Sequence, residues 1–162
     1  MGKTRKRGAF WPLKYFAGLT RKQKLQRKRE INKFKKINWK SAKAYTGFKT
    51  NALKKTKRSS YTVEWNKLFP EAKSLKERSK VTGVPERFLK ESFDRGRAAW
   101  RTGHRVGATQ AQWGWPRVSS MLLCGKTHYT TDADLVRKAK AASASARKWW
   151  TRCPSKIPAA FK

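Results

Sequence analysis

Hydrophobic residues in this chain fall into short runs between long basic stretches, and their spacing predicts helices. The clearest run lies over 74–96, where Leu75, Val81, Val84, Phe88, Leu89 and Phe93 can share one core face. Ser74 and Glu77 have the spacing of a capping box, in which each side chain satisfies an otherwise unpaired amide of the first turn. Gly83 is expected to end a first helix, Pro85 to open a second, and Gly96 to stop it. This is the layout of a helix-turn-helix, and an ordinary helical hairpin shares it. Such a pair reads bases only if its second helix reaches the groove. Glu86, Glu91 and Asp94 on that helix argue against a close approach to phosphate.

The same capping signature recurs. Thr20 and Gln23 predict a helix over about 21–37, with a thin apolar stripe of Leu25, Ile31, Phe34 and Ile37. Either it lies on a partner, or this region is a solvated arm. Thr109 and Gln112 predict a helix from near Gln110 to Cys124, with Gly125 as its stop. Pro116 falls inside it, so the helix either bends there or starts there. Gly103 and Gly107 predict a tight preceding loop with positive-φ positions. Thr131 and Asp134 predict a last helix reaching Trp149-Trp150. Residues 41–60 read as linker or extended chain, and 59–65 is the longest strand-like pattern. The expected fold is mainly α: a basic arm (1–58) with one helix, a small helical domain (59–150) containing the helix-turn-helix-like pair, and an irregular tail (151–162).

Charge changes the picture more than any motif. Lys and Arg number 42 against 9 Asp and Glu, a formal net charge of +33 over 162 residues. A compact chain so charged repels itself unless something negative neutralises it: nucleic acid, an acidic protein surface or a membrane surface. Eight tryptophans and an aromatic fraction of 12% imply a real core or interface as well. No apolar run approaches the ~20 residues of a membrane span. The start lacks the apolar core of a signal peptide, and Trp11-Pro12 spoils the amphipathic helix of an organelle transit peptide. Cys124 and Cys153 are too few for a disulfide framework, so a reducing compartment is expected.

Catalytic chemistry has little to stand on. The acids sit at helix starts or within helices, and no pair suggests an acid–base couple. Gly125-Lys126-Thr127 resembles the end of a phosphate-binding loop, but Ser120 stands where that motif needs glycine. His104, Cys124, His128 and Cys153 lack metal-site spacing, so no metal, cofactor or small-molecule substrate is expected. The cations remain. In the arm, Lys3, Arg5, Lys6, Arg7, Arg21, Lys22, Lys24, Arg27, Lys28, Arg29, Lys33, Lys35, Lys36, Lys54, Lys55, Lys57 and Arg58 are candidates for polyanion binding. In the domain, Arg95, Arg97, Arg101, Arg105 and Arg117 can clamp phosphates or carboxylates, and Trp100, Trp113 and Trp115 can stack on bases. The alternative is that these tryptophans are core, with arginines stacked on them.

Residues 74–135 resemble a family of small basic proteins of large DNA viruses of algae and protists, with related segments in some phages. The resemblance rests on Gly96 to Arg105 (GRAAWRTGHR), Gly107 to Trp113 (GATQAQW), Gly125-Lys126-Thr127, and Asp132 to Leu135 (DADL). It marks Arg97, Trp100, Arg101, His104, Arg105, Trp113, Trp115, Arg117 and Lys126 as core-motif residues. Residues 15–31 are similar to a second, less specific family segment. Two positions depart from the pattern: Val106 stands where proline is expected, and Pro116-Arg117 where a small residue and arginine are. The resemblance implies a viral setting rather than a reaction. The expected function is therefore a non-enzymatic virion structural protein, a minor capsid or core component made in the host cytoplasm or nucleus. Its expected partners are acidic capsid-protein surfaces, nucleic acid, or both, with DNA favoured over RNA. The alternatives are a DNA-condensing or DNA-reading protein and a ribonucleoprotein component.

Overall fold

The structure of the chain, a computed structural model, describes residues 13–38, 41, 43, 47–53, 56–103 and 107–161, with 14 and 101–103 described by backbone alone. Among these residues there is no strand. Eight α-helices follow one another: α1 (Arg21–Phe34), α2 (Ser60–Leu68), α3 (Leu75–Thr82), α4 (Glu86–Gly103), α5 (Ala111–Leu122), α6 (Lys126–Tyr129), α7 (Ala133–Ala142) and α8 (Ala144–Trp149). The chain divides into two units, Met1–Thr56 with Arg101–Ala108, and Lys57–Trp100 with Thr109–Lys162.

In the first unit, the Thr20 hydroxyl accepts from the Gln23 amide and the Gln23 side chain accepts from the Thr20 amide, so the capping box forms and starts α1. The helix ends at Phe34, three residues before its expected end. Its inward residues are Arg27, Ile31 and Phe34, while Leu25 is 53% exposed and Ile37 half-buried. The reason is rotational. Spacings of four and seven keep residues on one face, whereas the six from Leu25 to Ile31 turn it by about 240°. The segment expected as a linker partly covers this face. Phe48 stacks on Phe34 at 4.4 Å between centroids, and a 3₁₀ turn over Lys49–Leu53 buries Thr50.

The second unit starts where the strand-like pattern was, and that stretch is α2. A single fully buried residue, Trp65, anchors it, and the indole N–H donates to the Ala72 carbonyl at 3.0 Å. The Ser74–Glu77 box starts α3, and amide hydrogen bonds, Ser74's first, hold the Glu77 carboxyl below its usual range. Gly83 ends α3 at φ 68°, where a Cβ would also lie 2.3 Å from the Ser145 Cβ.

Gly96 does not stop the next helix. It lies inside α4, buried, where a Cβ would come within 2.6 Å of the Trp113 carbonyl and 2.8 Å of the Gly114 Cα. Two glycines thus let α4 and α5 touch backbone to backbone. This is a packing role that the helix-stopping habit of glycine obscures in sequence. The Thr109–Gln112 box forms and α5 continues through Pro116, so it starts ahead of the proline. Gly107 has φ 86°, as its loop required, but Gly103 is the last residue of α4 and His104 to Val106 lie outside the described residues.

The expected last helix is two helices. Ser143 is extended and accepts from the Ala146 amide while donating to the Gly83 carbonyl, so a new cap and a bond to the α3–α4 turn replace continued helix. Nor does Asp134 close a box with Thr131: α7 starts after Asp132, with no side-chain cap. Cys124 and Cys153 are joined in a disulfide across 29 residues, Cα atoms 5.4 Å apart, against the expectation of free thiols. The tail after 150 holds two 3₁₀ turns, Trp150–Arg152 and Ala159–Phe161. Trp65, Val84, Leu89, Val118, Met121, Leu122, Leu135 and Trp150 form the centre of this unit's core.

Candidate polyanion interface

Arginines of the 95–117 segment close on the chain's own carboxylates. Arg117 grips fully buried Asp132 through Nε and Nη2, with contacts of 2.7 to 3.1 Å, and the Ser92 hydroxyl donates to the same carboxylate at 2.8 Å. Arg95 forms a two-pronged pair with Asp134, both contacts 2.7 Å, and reaches Glu91 at 2.7 Å. Hydrogen bonds from Arg95 hold the Asp134 carboxyl down at about 2, and that carboxylate in turn raises the Arg95 pKa. Arg97 meets Asp94 at 3.2 Å and the Gln110 side-chain oxygen at 2.9 Å. A two-pronged charged pair is the strongest ordinary hydrogen-bonding arrangement. These guanidiniums are therefore committed within the unit. The Arg101 side chain, His104 and Arg105 lie outside the described residues.

Tryptophan stacking on arginine does occur, with other arginines. Arg78, 2% exposed, lies between Trp65 and Trp115 with its guanidinium carbon 4.7 Å from each ring centroid, and Nη1 donates to the Ser119 hydroxyl at 2.9 Å. Burial lowers its pKa to about 10. Arg152 lies 3.8 Å over Trp149. Neither residue stood out in the sequence, because a buried arginine needs neighbours that only the fold supplies. Trp100 is buried, Trp113 is half-buried, and Trp115 has Arg78 on its ring and Phe93 at 4.9 Å. Gly125-Lys126-Thr127 is a structural junction. The Thr127 amide donates to the Ser120 hydroxyl and its own hydroxyl to the Arg117 carbonyl, while exposed Lys126 donates its amide to Tyr61. His128 is buried with Nδ1 3.2 Å from the Met121 carbonyl, and desolvation lowers its pKa. Among the described residues no group of three or more His, Cys, Asp or Glu could hold a metal, and no helix is long and apolar enough to cross a membrane.

The helix α1 contrasts with this. Arg27 is fully buried and is not available to a partner: it donates to the Thr50 hydroxyl at 2.9 Å and the Asn51 side chain at 2.8 Å, and desolvation lowers its pKa to about 10. Glu30 turns to the same cluster and accepts from the Thr50 hydroxyl. Arg21, Lys22, Lys24, Lys28, Arg29, Lys33, Lys35 and Lys36 are all exposed, on α1 or just past its end. Lys22, Arg29 and Lys33 recur at spacings of seven and four, so they lie along one side of the helix, and Lys36 follows just past its end. Lys28 and Lys33 rest over the rings of Phe16 and Phe34 at 5.9 and 5.6 Å. Lys57 and Arg58 are exposed; Lys3, Arg5, Lys6, Arg7, Lys54 and Lys55 lie outside the described residues.

No curated protein and no solved structure matches this chain. A protein-family model covers most of it, residues 12–138, from before α1 into α7. That span takes in both the acid-poor helix and the Arg–Asp network, and by it the chain belongs to DUF5824, a family of unknown function.

Proposed function

We propose that this chain is a non-enzymatic structural protein that binds a polyanion through the exposed cations of α1, whereas Arg95, Arg97 and Arg117 of its second unit are internally paired. The observation that carries the reading is on α1: six of its Lys and Arg are exposed, and its one acid, Glu30, is engaged with Thr50. Such a surface gains by displacing counterions from a polyanion, so its binding weakens steeply with salt. The setting proposed is the particle of a large DNA virus, supported by the resemblance of the Gly96–Arg105 and Asp132–Leu135 motifs, with acidic capsid surfaces or the genome as the polyanion. Base reading by the α3–α4 pair is the weaker alternative, because exposed Glu86 and Glu91 share the start of α4 with exposed Arg87 and Lys90.

Two measurements test this. The protein should co-sediment with intact purified particles, and its absence from them removes the virion setting. Replacing Lys22, Arg29, Lys33 and Lys36 by Gln should reduce the slope of log affinity against log salt for a short DNA duplex by about 0.9 for each phosphate left unneutralised. An unchanged slope removes α1 as the binding surface.

A further inference from the structure

We infer that α7, α8 and the turn that follows form a second nucleic-acid-backbone surface, so that one chain bridges two duplex segments. The part concerning α1 rests on the function proposed above; the second surface stands on separate observations. After Asp134 the chain has no acid to its end, yet it carries seven Lys and Arg before its last two residues. Arg137, Lys138, Lys148 and Lys156 are exposed. Lys138 makes a long contact of 3.9 Å with Asp134, whose carboxylate is already held by Arg95 at 2.7 Å. Among the described residues, Arg137, Lys148 and Lys156 have no carboxylate within ion-pair distance.

The character of the surface selects the partner. Between the cations lie exposed Ala141, Ala142, Ala144 and Ser145, and the large exposed hydrophobic residues of the described chain, such as Val63, Leu68 and Val81, all lie before α4. Protein-binding surfaces are depleted in Lys, Ala and Ser and enriched in aromatic residues at their centres. Interfaces with nucleic acid are strongly positive and polar. Small side chains also let a phosphate backbone approach closely. The helices that present Arg137, Lys138 and Lys148 are fixed from below by Leu135, Val136, Ala139, Ala146 and Trp150 in the core. The cations fixed in this way in one unit and α1 in the other give the chain two attachment points, the minimum that bridging two duplexes requires.

The test uses the full chain, a short DNA duplex fixed on beads and the same duplex free and fluorescent. Wild-type protein should draw free duplex onto the beads. The variant R137Q/K138Q/K148Q/K156Q, its fold checked by circular dichroism and thermal melting, should still bind one duplex through α1 but lose at least tenfold in capture of the second. Its salt slope should fall by about 0.9 for every phosphate it ceases to neutralise. Capture equal to wild type would overturn the inference, as would preference for polyglutamate over duplex at equal charge. The α1 variant separates the two proposals. If it binds normally while the α7–α8 variant does not, the role of α1 fails and the second surface stands. If neither variant changes binding, both fail.

Discussion

Two regions of this molecule carry arginine and lysine and use them in opposite ways. Where α4, α5 and the start of α7 meet, Arg95, Arg97 and Arg117 close on Asp134, Asp94 and Asp132. On α1 every cation but Arg27 faces water and the one acid of the helix, Glu30, turns inward toward Thr50. The net charge of the chain does not distinguish these regions; the positions of its nine acids do. In a chain so basic, carboxylates commit Arg95, Arg97 and Arg117 to the fold, while Arg27 and Arg78 are held by burial and by neutral hydrogen-bond partners.

The contrast can be broken most severely at Asp132. Replacing it by Ala leaves Arg117 partly buried without its anion and Ser92 without its acceptor, and should cost about 3 to 5 kcal/mol in urea unfolding followed by tryptophan fluorescence. A loss below about 1 kcal/mol would mean that the pair is merely tolerated. Next comes Gly96→Ala, which drives a Cβ into the Trp113 carbonyl; about 1 to 3 kcal/mol should be lost, or more if the backbones cannot part. Arg27→Gln sharpens the comparison inside α1 itself. It should destabilise the first unit by about 1 to 2 kcal/mol through its broken bonds to Thr50 and Asn51, yet leave the salt slope of polyanion binding unchanged. The smallest effect is in acid. Because Arg95 holds the Asp134 carboxyl at about 2, below its ordinary value of 3.8, their pair contributes fully above that ordinary value and is lost as pH falls toward 2. The pair is partly exposed, so at most about 1 kcal/mol should vanish over that window, and Arg95→Gln should abolish this part of the pH dependence.

Local signals carried much of the helical fold. Three capping boxes, at Thr20, Ser74 and Thr109, rest on residues three apart and form in the structure as expected. The fourth, expected at Thr131, does not form because Arg95, 39 residues away along the chain, competes for Asp134. Gly96 reads as a stop in sequence and Ser143 carries no signal there for the same kind of reason. Their roles depend on Trp113 and Gly83, which tertiary packing brings close. The candidate surface divides likewise. That α1 is basic is visible in the sequence, but that Arg27 is inside it and Lys22 outside depends on where Phe48 and Thr50 fold.

The Cys124–Cys153 link closes a covalent ring around α6, α7 and α8. A ring of 29 residues removes unfolded-chain entropy worth about 3 to 4 kcal/mol on the loop-closure scale, a large share of the roughly 5 to 15 that a typical domain has. The same polypeptide would then have two levels of durability: a lower one in a thiol-rich cytosol, where the ring is open, and a higher one wherever oxidation closes it. A cut within the closed ring would release no fragment, so the helices carrying Arg137 and Lys148 would stay tethered after a nick.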